Sequence, residues 1–252
     1  VIPVRTTAPR PRTPVLVLAL VAANAAVFLH QQALAPRDAY LFALTRGLVP
    51  RRYADPGWAL AVGLDPGDWT PLVTSAFLHG GWIHLIANMW TLWLFGGAVE
   101  ARLGRPRFAA LYGGGLLAAA AAQMWAYPAS PVPVIGASGA VAAVLGAHVV
   151  LFPASRVLLL IPILFIPLFV PVGTLAYAGI WFAIQVLNGA GALASEAPGG
   201  VAWWAHVGGF LGGLAIGRLA GRPRPPPRSG PPSVPPSVPP SVPPSGPWGP
   251  RA

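Results

Sequence analysis

Apolar residues gather along this chain in blocks of about 20, the length an α-helix needs to cross the hydrocarbon of a bilayer, at roughly residues 15–34, 73–95, 107–126, 136–152, 172–190 and 202–219. Six such blocks predict an all-α fold, a polytopic six-helix transmembrane bundle with both termini on one side. A further apolar stretch, Val157 to Pro171, is interrupted by Pro162, Pro167 and Pro171. Proline lacks the N–H that a helix interior uses, and its ring clashes with the preceding turn. This stretch is therefore read as a membrane-hugging connection into the fifth helix. The chain divides into an N-terminal segment (1–14), a six-span membrane domain (15–220) and a tail (221–252). In the tail, Pro-Pro-Ser-Val repeats from Pro231 exclude a packed core and favour an extended, polyproline-like form.

Composition points the same way: hydrophobic residues are 55% and charged residues 9% of the 252, more apolar surface than a soluble fold can bury. The net charge of +10 would suit nucleic acid, but the arginines are scattered between apolar runs with no aromatic-interleaved basic module, so no nucleic-acid partner is expected. Topology accounts for them better. With six spans, all sixteen basic residues except Arg37, Arg46, Arg51 and Arg52 fall on the side of the termini, and five of the six acids fall opposite. Positive loops stay in the cytoplasm, which places both termini inside the cell and the protein in the inner (plasma) membrane. Every basic residue is arginine, and Ala, Gly and Pro are abundant, a bias pointing to a GC-rich bacterial gene. The first span also has the form of a secretory signal peptide, with small residues from Ala22 to Ala26, but no secreted domain stands behind it. The tail, with Trp248 as an anchor, is a candidate docking site for a cytoplasmic proline-binding partner.

Without cysteine there is no disulfide, thiolate metal site or cysteine nucleophile, and without lysine covalent chemistry falls to Ser or Thr. Polar side chains inside spans are costly, so those that remain are functional candidates. On the second span, His84 and Asn88 are four residues apart and share a helical face. His79, five residues before His84, turns away from them on an ideal helix and is read as structural or interfacial. The fourth span opens on Gly136-Ala137-Ser138-Gly139-Ala140, a serine among small residues at a helix start, where free backbone N–H groups can face a developing oxyanion. The same pattern serves plain helix packing, and it is not the G-x-S-x-G elbow, because Ala140 replaces the last glycine. The sixth span sets His206 beside a glycine face, with Gly209 and Gly213 spaced for close helix packing.

Spans two, four and six run in one direction, so their early residues share a depth. His206 is then placed to take the proton of Ser138, whose hydroxyl attacks a peptide carbonyl, while His84, Asn88 and the Ser138 N–H hold the oxyanion. No acid lies in a span near His206, so packing instead of a carboxylate is expected to orient the imidazole. A zinc hydrolase is the natural rival, and it needs three good ligands. There is no H-E-x-x-H, and His30 and His148 lie on other helices without a partner acid. Neither a metal nor a cofactor is expected.

From about Asp68 to Arg218 the chain resembles the rhomboid intramembrane serine proteases. The resemblance rests on Phe77-Leu-His-Gly-Gly-Trp-Ile-His84-Leu-Ile-Ala-Asn88, on Gly136-Ala-Ser138-Gly139 and on Ala205-His206-Val-Gly-Gly-Phe, in the family's order and spacing. It implies a rhomboid-type bundle with Ser138 as nucleophile, His206 as base, and His84 with Asn88 as oxyanion side chains. Glu100-Ala-Arg102-Leu-Gly104 resembles a family pattern of structural use, and Pro36 to Pro71 is similar to the long first loop. Two positions depart from many relatives: Thr70 stands where arginine is frequent, and Ala142 where some carry an aromatic that stacks on the histidine. The implied function is hydrolysis of peptide bonds in or near transmembrane segments of membrane-protein substrates. The alternative is a non-catalytic rhomboid-like protein that binds transmembrane clients. A small transporter would show charged residues at mid-membrane or internal repeats, and neither is evident.

Overall fold

The structure is a computed structural model that describes residues 1–164, 166–195 and 200–220. The proline-rich tail assigned to 221–252 and its docking site lie outside the described residues, as does Glu196. In chain order the helices are α1 (Val15–Ala33), α2 (Pro36–Arg46), α3 (Pro50–Ala54), α4 (Pro56–Ala61), α5 (Pro71–Thr74), α6 (Trp82–Leu103), α7 (Arg105–Ala126), α8 (Ser138–Leu151), α9 (Thr174–Ala194) and α10 (Trp203–Ala220). The fold is a polytopic helical bundle, and among the described residues six helices are long, α1 and α6 to α10. Of these, α1, α6, α7 and α9 are each long and apolar enough to cross a membrane. Helix α8 has 14 residues, so it rises only about 21 Å against a hydrocarbon thickness of about 30 Å. It is enclosed by the other helices, and every residue from Gly139 to Val149 is buried.

Small residues set this packing. In lipid the helices gain little by leaving an apolar solvent, so association rests on close van der Waals contact. A Cβ at Gly209 would overlap the carbonyl oxygen of Gly139, and one at Gly213 would overlap that of Ala143, so α10 lies backbone against backbone on α8. Glu100, a buried acid on α6, accepts hydrogen bonds from the backbone N–H groups of Leu16 (3.0 Å) and Val17 (2.9 Å). It thereby serves the unpaired donors at the start of α1, where the helix dipole also favours a negative charge. At the C-terminal end of α6, just past Glu100, Gly104 adopts φ +79°, which lets the chain turn directly into α7.

The second long helix starts at Trp82, later than the apolar block that predicts it, because residues 71–77 form α5 and a 3-10 turn. The loop between α1 and α6 is ordered, and each of its four short helices begins on a proline, whose fixed φ suits a first helical residue. The buried Arg52 fastens it, reaching the Asp65 carbonyl (2.8 Å), the Thr45 carbonyl (3.2 Å) and the Asp68 carboxylate (3.2 Å).

The residues outside the bundle are not all irregular. A three-stranded antiparallel sheet joins β1 (Ile2–Thr6), β2 (Arg156–Ile163) and β3 (Ile166–Gly173) in that order. The proline-broken connection is thus a β-hairpin, and part of the N-terminal segment pairs with it. Proline does keep this stretch from becoming a helix. In the register Ile163↔Ile166 flanks the turn, so Pro167 and Pro171 place their missing N–H positions on the free edge of β3, where no partner strand needs them. The Pro3 carbonyl accepts a hydrogen bond from Trp90 Nε1 at 2.7 Å, which ties the sheet to α6.

Candidate active site

The start of α8 lies at the wall of a cavity of about 1050 Å³, and His84, Asn88, Ser138 and His206 all line it. Ser138 is the first residue of α8, and its Oγ lies 2.8 Å from His206 Nε2 on α10. That approach requires the glycine contacts: Gly139 follows the serine, and Gly209, one turn after the histidine, presses on its carbonyl. With a Cβ at Gly209 the two helices could not bring a serine and an imidazole within hydrogen-bond distance, while one at Gly139 would strike the Ala119 methyl of α7.

His84 and Asn88 reach the same space from α6. The Gly80 N–H donates to His84 Nδ1 (3.3 Å), so the ring carries its proton on Nε2. That nitrogen faces Gly136, where an added Cβ would lie 2.7 Å from it and 3.8 Å from Asn88 Nδ2. Gly136 has φ +121°, so both its conformation and its crowding demand glycine. One Asn88 amide hydrogen goes to the His84 carbonyl (3.0 Å), leaving the second for the cavity. The segment that carries Gly136 is held from the first loop: Leu48 and Val134 exchange backbone bonds of 3.0 and 2.8 Å, and the Gly136 N–H donates to the Ser75 carbonyl at 2.9 Å.

Residues 66–223 match the family model described as Rhomboid domain. The chain belongs to the rhomboid family. Its rhomboid relatives include bacterial and mitochondrial proteins. Rhomboid protease GluP of Bacillus subtilis is 41% identical over 81 residues, 32% of this chain and 15% of the relative. Rhomboid protein 1, mitochondrial, of Saccharomyces cerevisiae is 38% identical over 95 residues (36% and 27%). Presenilin-associated rhomboid-like protein, mitochondrial, of Homo sapiens is 32% identical over 105 residues (40% and 26%). The matched part of this rhomboid therefore spans only 15 to 27% of the length of these relatives.

Two expectations from the sequence need correction. His79 is not on the helix with His84 but in the turn before it, and the two rings touch edge to face with centroids 5.0 Å apart. Its backbone N–H is held by Gln31 Oε1 of α1 at 3.0 Å, so it buttresses His84 instead of turning away. The His206 ring is not oriented by packing alone: Gln185 of α9 places Oε1 2.7 Å from Nδ1. Trp181, one turn earlier, lies beside the ring with centroids 5.9 Å apart, an aromatic neighbour where Ala142 provides none. Gln185 escaped the reading of the sequence because a lone glutamine in an apolar helix carries no spacing signal. A glutamine on α7 escaped in the same way: Gln123 Oε1 accepts from the Ala205 N–H (3.2 Å), steadying the start of α10 one residue before His206.

Proposed function

We propose that this rhomboid is an intramembrane serine endopeptidase that cuts peptide bonds in or near the transmembrane segments of membrane-protein substrates. The observation that carries the proposal is the 2.8 Å contact between Ser138 Oγ and His206 Nε2 on the wall of an open cavity. His206 Nε2 takes the hydroxyl proton as Oγ bonds to the scissile carbonyl carbon, and the carbonyl π electrons move to oxygen. His84 Nε2–H, the free Asn88 amide hydrogen and the Ser138 N–H, unpaired within the first helical turn, are donors for that oxyanion. The proton then passes from His206 to the leaving amine. Water entering the cavity hydrolyses the acyl-serine by the same steps in reverse roles. A helical peptide bond is shielded by its own hydrogen bonds, so a substrate that unwinds easily near the membrane surface is favoured, with small or helix-breaking residues at the cut.

The arginine distribution supports both termini in the cytoplasm, and the arginine-only composition supports a bacterial inner membrane. On this reading residues 15–220 form the membrane domain, and residues 221–252 form a cytoplasmic tail available to a proline-binding partner.

The test is cleavage of model single-span substrates by the purified protein in liposomes. Wild type is expected to cut, while Ser138→Ala and His206→Ala, both folded, do not. A wild type that binds such substrates but leaves all of them intact would replace the protease with the client-binding alternative.

A further inference from the structure

We infer that Gln185 is a positioning residue for His206, making the reactive unit a relay of three side chains; this rests on the protease reading above. The relay has a single consistent direction. Gln185 Nε2 donates to the Trp181 carbonyl, one turn back on α9, at 3.2 Å. That bond decides which end of the amide faces which way, leaving Oε1, an acceptor only, 2.7 Å from His206 Nδ1. Nδ1 must therefore carry the imidazole proton, and Nε2 presents its lone pair to Ser138 Oγ at 2.8 Å. Each donor in the chain from Ser138 to the Trp181 carbonyl meets one acceptor.

The environment makes the arrangement specific. Gln185 is one of only four buried residues on α9, the others being Thr174, Ala178 and Gly189. An amide buried in an otherwise apolar helix is stable only if its polar atoms are bonded, and here the bonds it makes are those that select the tautomer. A carboxylate in the same place would hold the ring as well but would put a charge inside the membrane. The carboxamide holds it without one.

The experiment compares wild type, Gln185→Met and Gln185→Glu in liposomes. Gln185→Met keeps length and apolar volume but removes the acceptor, whereas Gln185→Glu keeps an acceptor oxygen in either protonation state. Two rates are read: labelling of Ser138 by a fluorophosphonate, which needs no substrate docking, and kcat and KM for a model substrate. Loss of the tautomer and aim of one base is expected to lower both the labelling rate and kcat of Gln185→Met about 10–10²-fold, with KM within about twofold. Gln185→Glu stays within a few-fold of wild type. Wild-type labelling and kcat in Gln185→Met would overturn the role, as would an equal loss in both variants, which is what a merely structural residue produces. If wild-type Ser138 takes no label at all, the protease reading itself falls and this role with it.

Discussion

Two serine–histidine pairs lie at opposite ends of α8. At its start Ser138 Oγ is 2.8 Å from His206 Nε2; just past its end Ser155 Oγ is 3.4 Å from His148 Nε2. The second pair is sealed, with His148 fully buried and its Nδ1 without a partner. The Ser155 hydroxyl is also engaged elsewhere, 2.7 Å from the Phe152 carbonyl and 2.8 Å from Thr174 Oγ1. The first pair opens on a cavity, its serine hydroxyl has His206 Nε2 as its neighbour, and the far nitrogen of the ring is held by Gln185. Proximity of the two residue types is thus not what separates a candidate nucleophile from a structural clasp. Access, an uncommitted hydroxyl and an oriented imidazole are. The second pair instead pins the hairpin connection to the end of α8, where the Thr174 N–H also bonds the Ser155 carbonyl at 2.9 Å.

Ser138→Ala separates the two pairs most strongly and is expected to lower kcat for a transmembrane substrate by about 10³-fold or more. The double variant with His206→Ala should be no worse, because the pair acts as a unit. A Ser138→Ala protein that still cuts would transfer the chemistry to another group. Next in size, Asn88→Ala and His84→Ala should each reduce kcat about 10²–10³-fold while leaving Ser138 in place, the loss typical of one oxyanion donor. Single-turnover rates at saturating substrate would show it, and a loss confined to KM would assign these residues to binding. At the other pair, Ser155→Ala should leave kcat within about twofold but lower stability by about 1–3 kcal/mol, since buried partners lose a bond. Thermal unfolding in detergent, read beside the cleavage rate, measures both, and a large activity loss at unchanged stability would erase the distinction between the pairs.

The smallest effect falls on neither pair. Hydrogen bonds from Thr70, then the nearby Arg52 guanidinium, hold the Asp68 carboxyl below its usual range. A carboxyl whose folded value is depressed stabilises the fold above its unfolded value and loses that contribution as pH falls through the folded one. Protection factors of the amides in residues 50–70, which remove the intrinsic pH dependence of exchange, should therefore be flat above about pH 5 and fall as the pH drops below the ordinary aspartate range. A fall in protection near neutral pH instead would place the loop's control on another group.

How much of this was legible beforehand depended on the range of the interaction. Apart from α6, which is displaced towards the C-terminus from its block, the long helices begin and end near the apolar blocks because bilayer thickness converts directly into a run of apolar residues, and a run is local. Ser138, His206, His84 and Asn88 stand out because a polar group inside such a run needs a reason. The sheet was missed because residues 2–6 pair with residues some 150 positions away, and strands apolar on both faces have no alternation to read. The place of His79 was missed because helix periodicity was extended back through a turn that only the loop packing creates.

Hydropathy and charge placement are properties of the chain alone, and they suffice for a multi-span membrane protein with a short set of polar residues at comparable depth. Which serine meets which histidine, and that a glutamine from α9 holds the ring, emerge only in the packed molecule. Those outcomes depend on the glycine faces that let α8 and α10 close to backbone contact, and on a hydrogen bond whose partners no spacing rule connects.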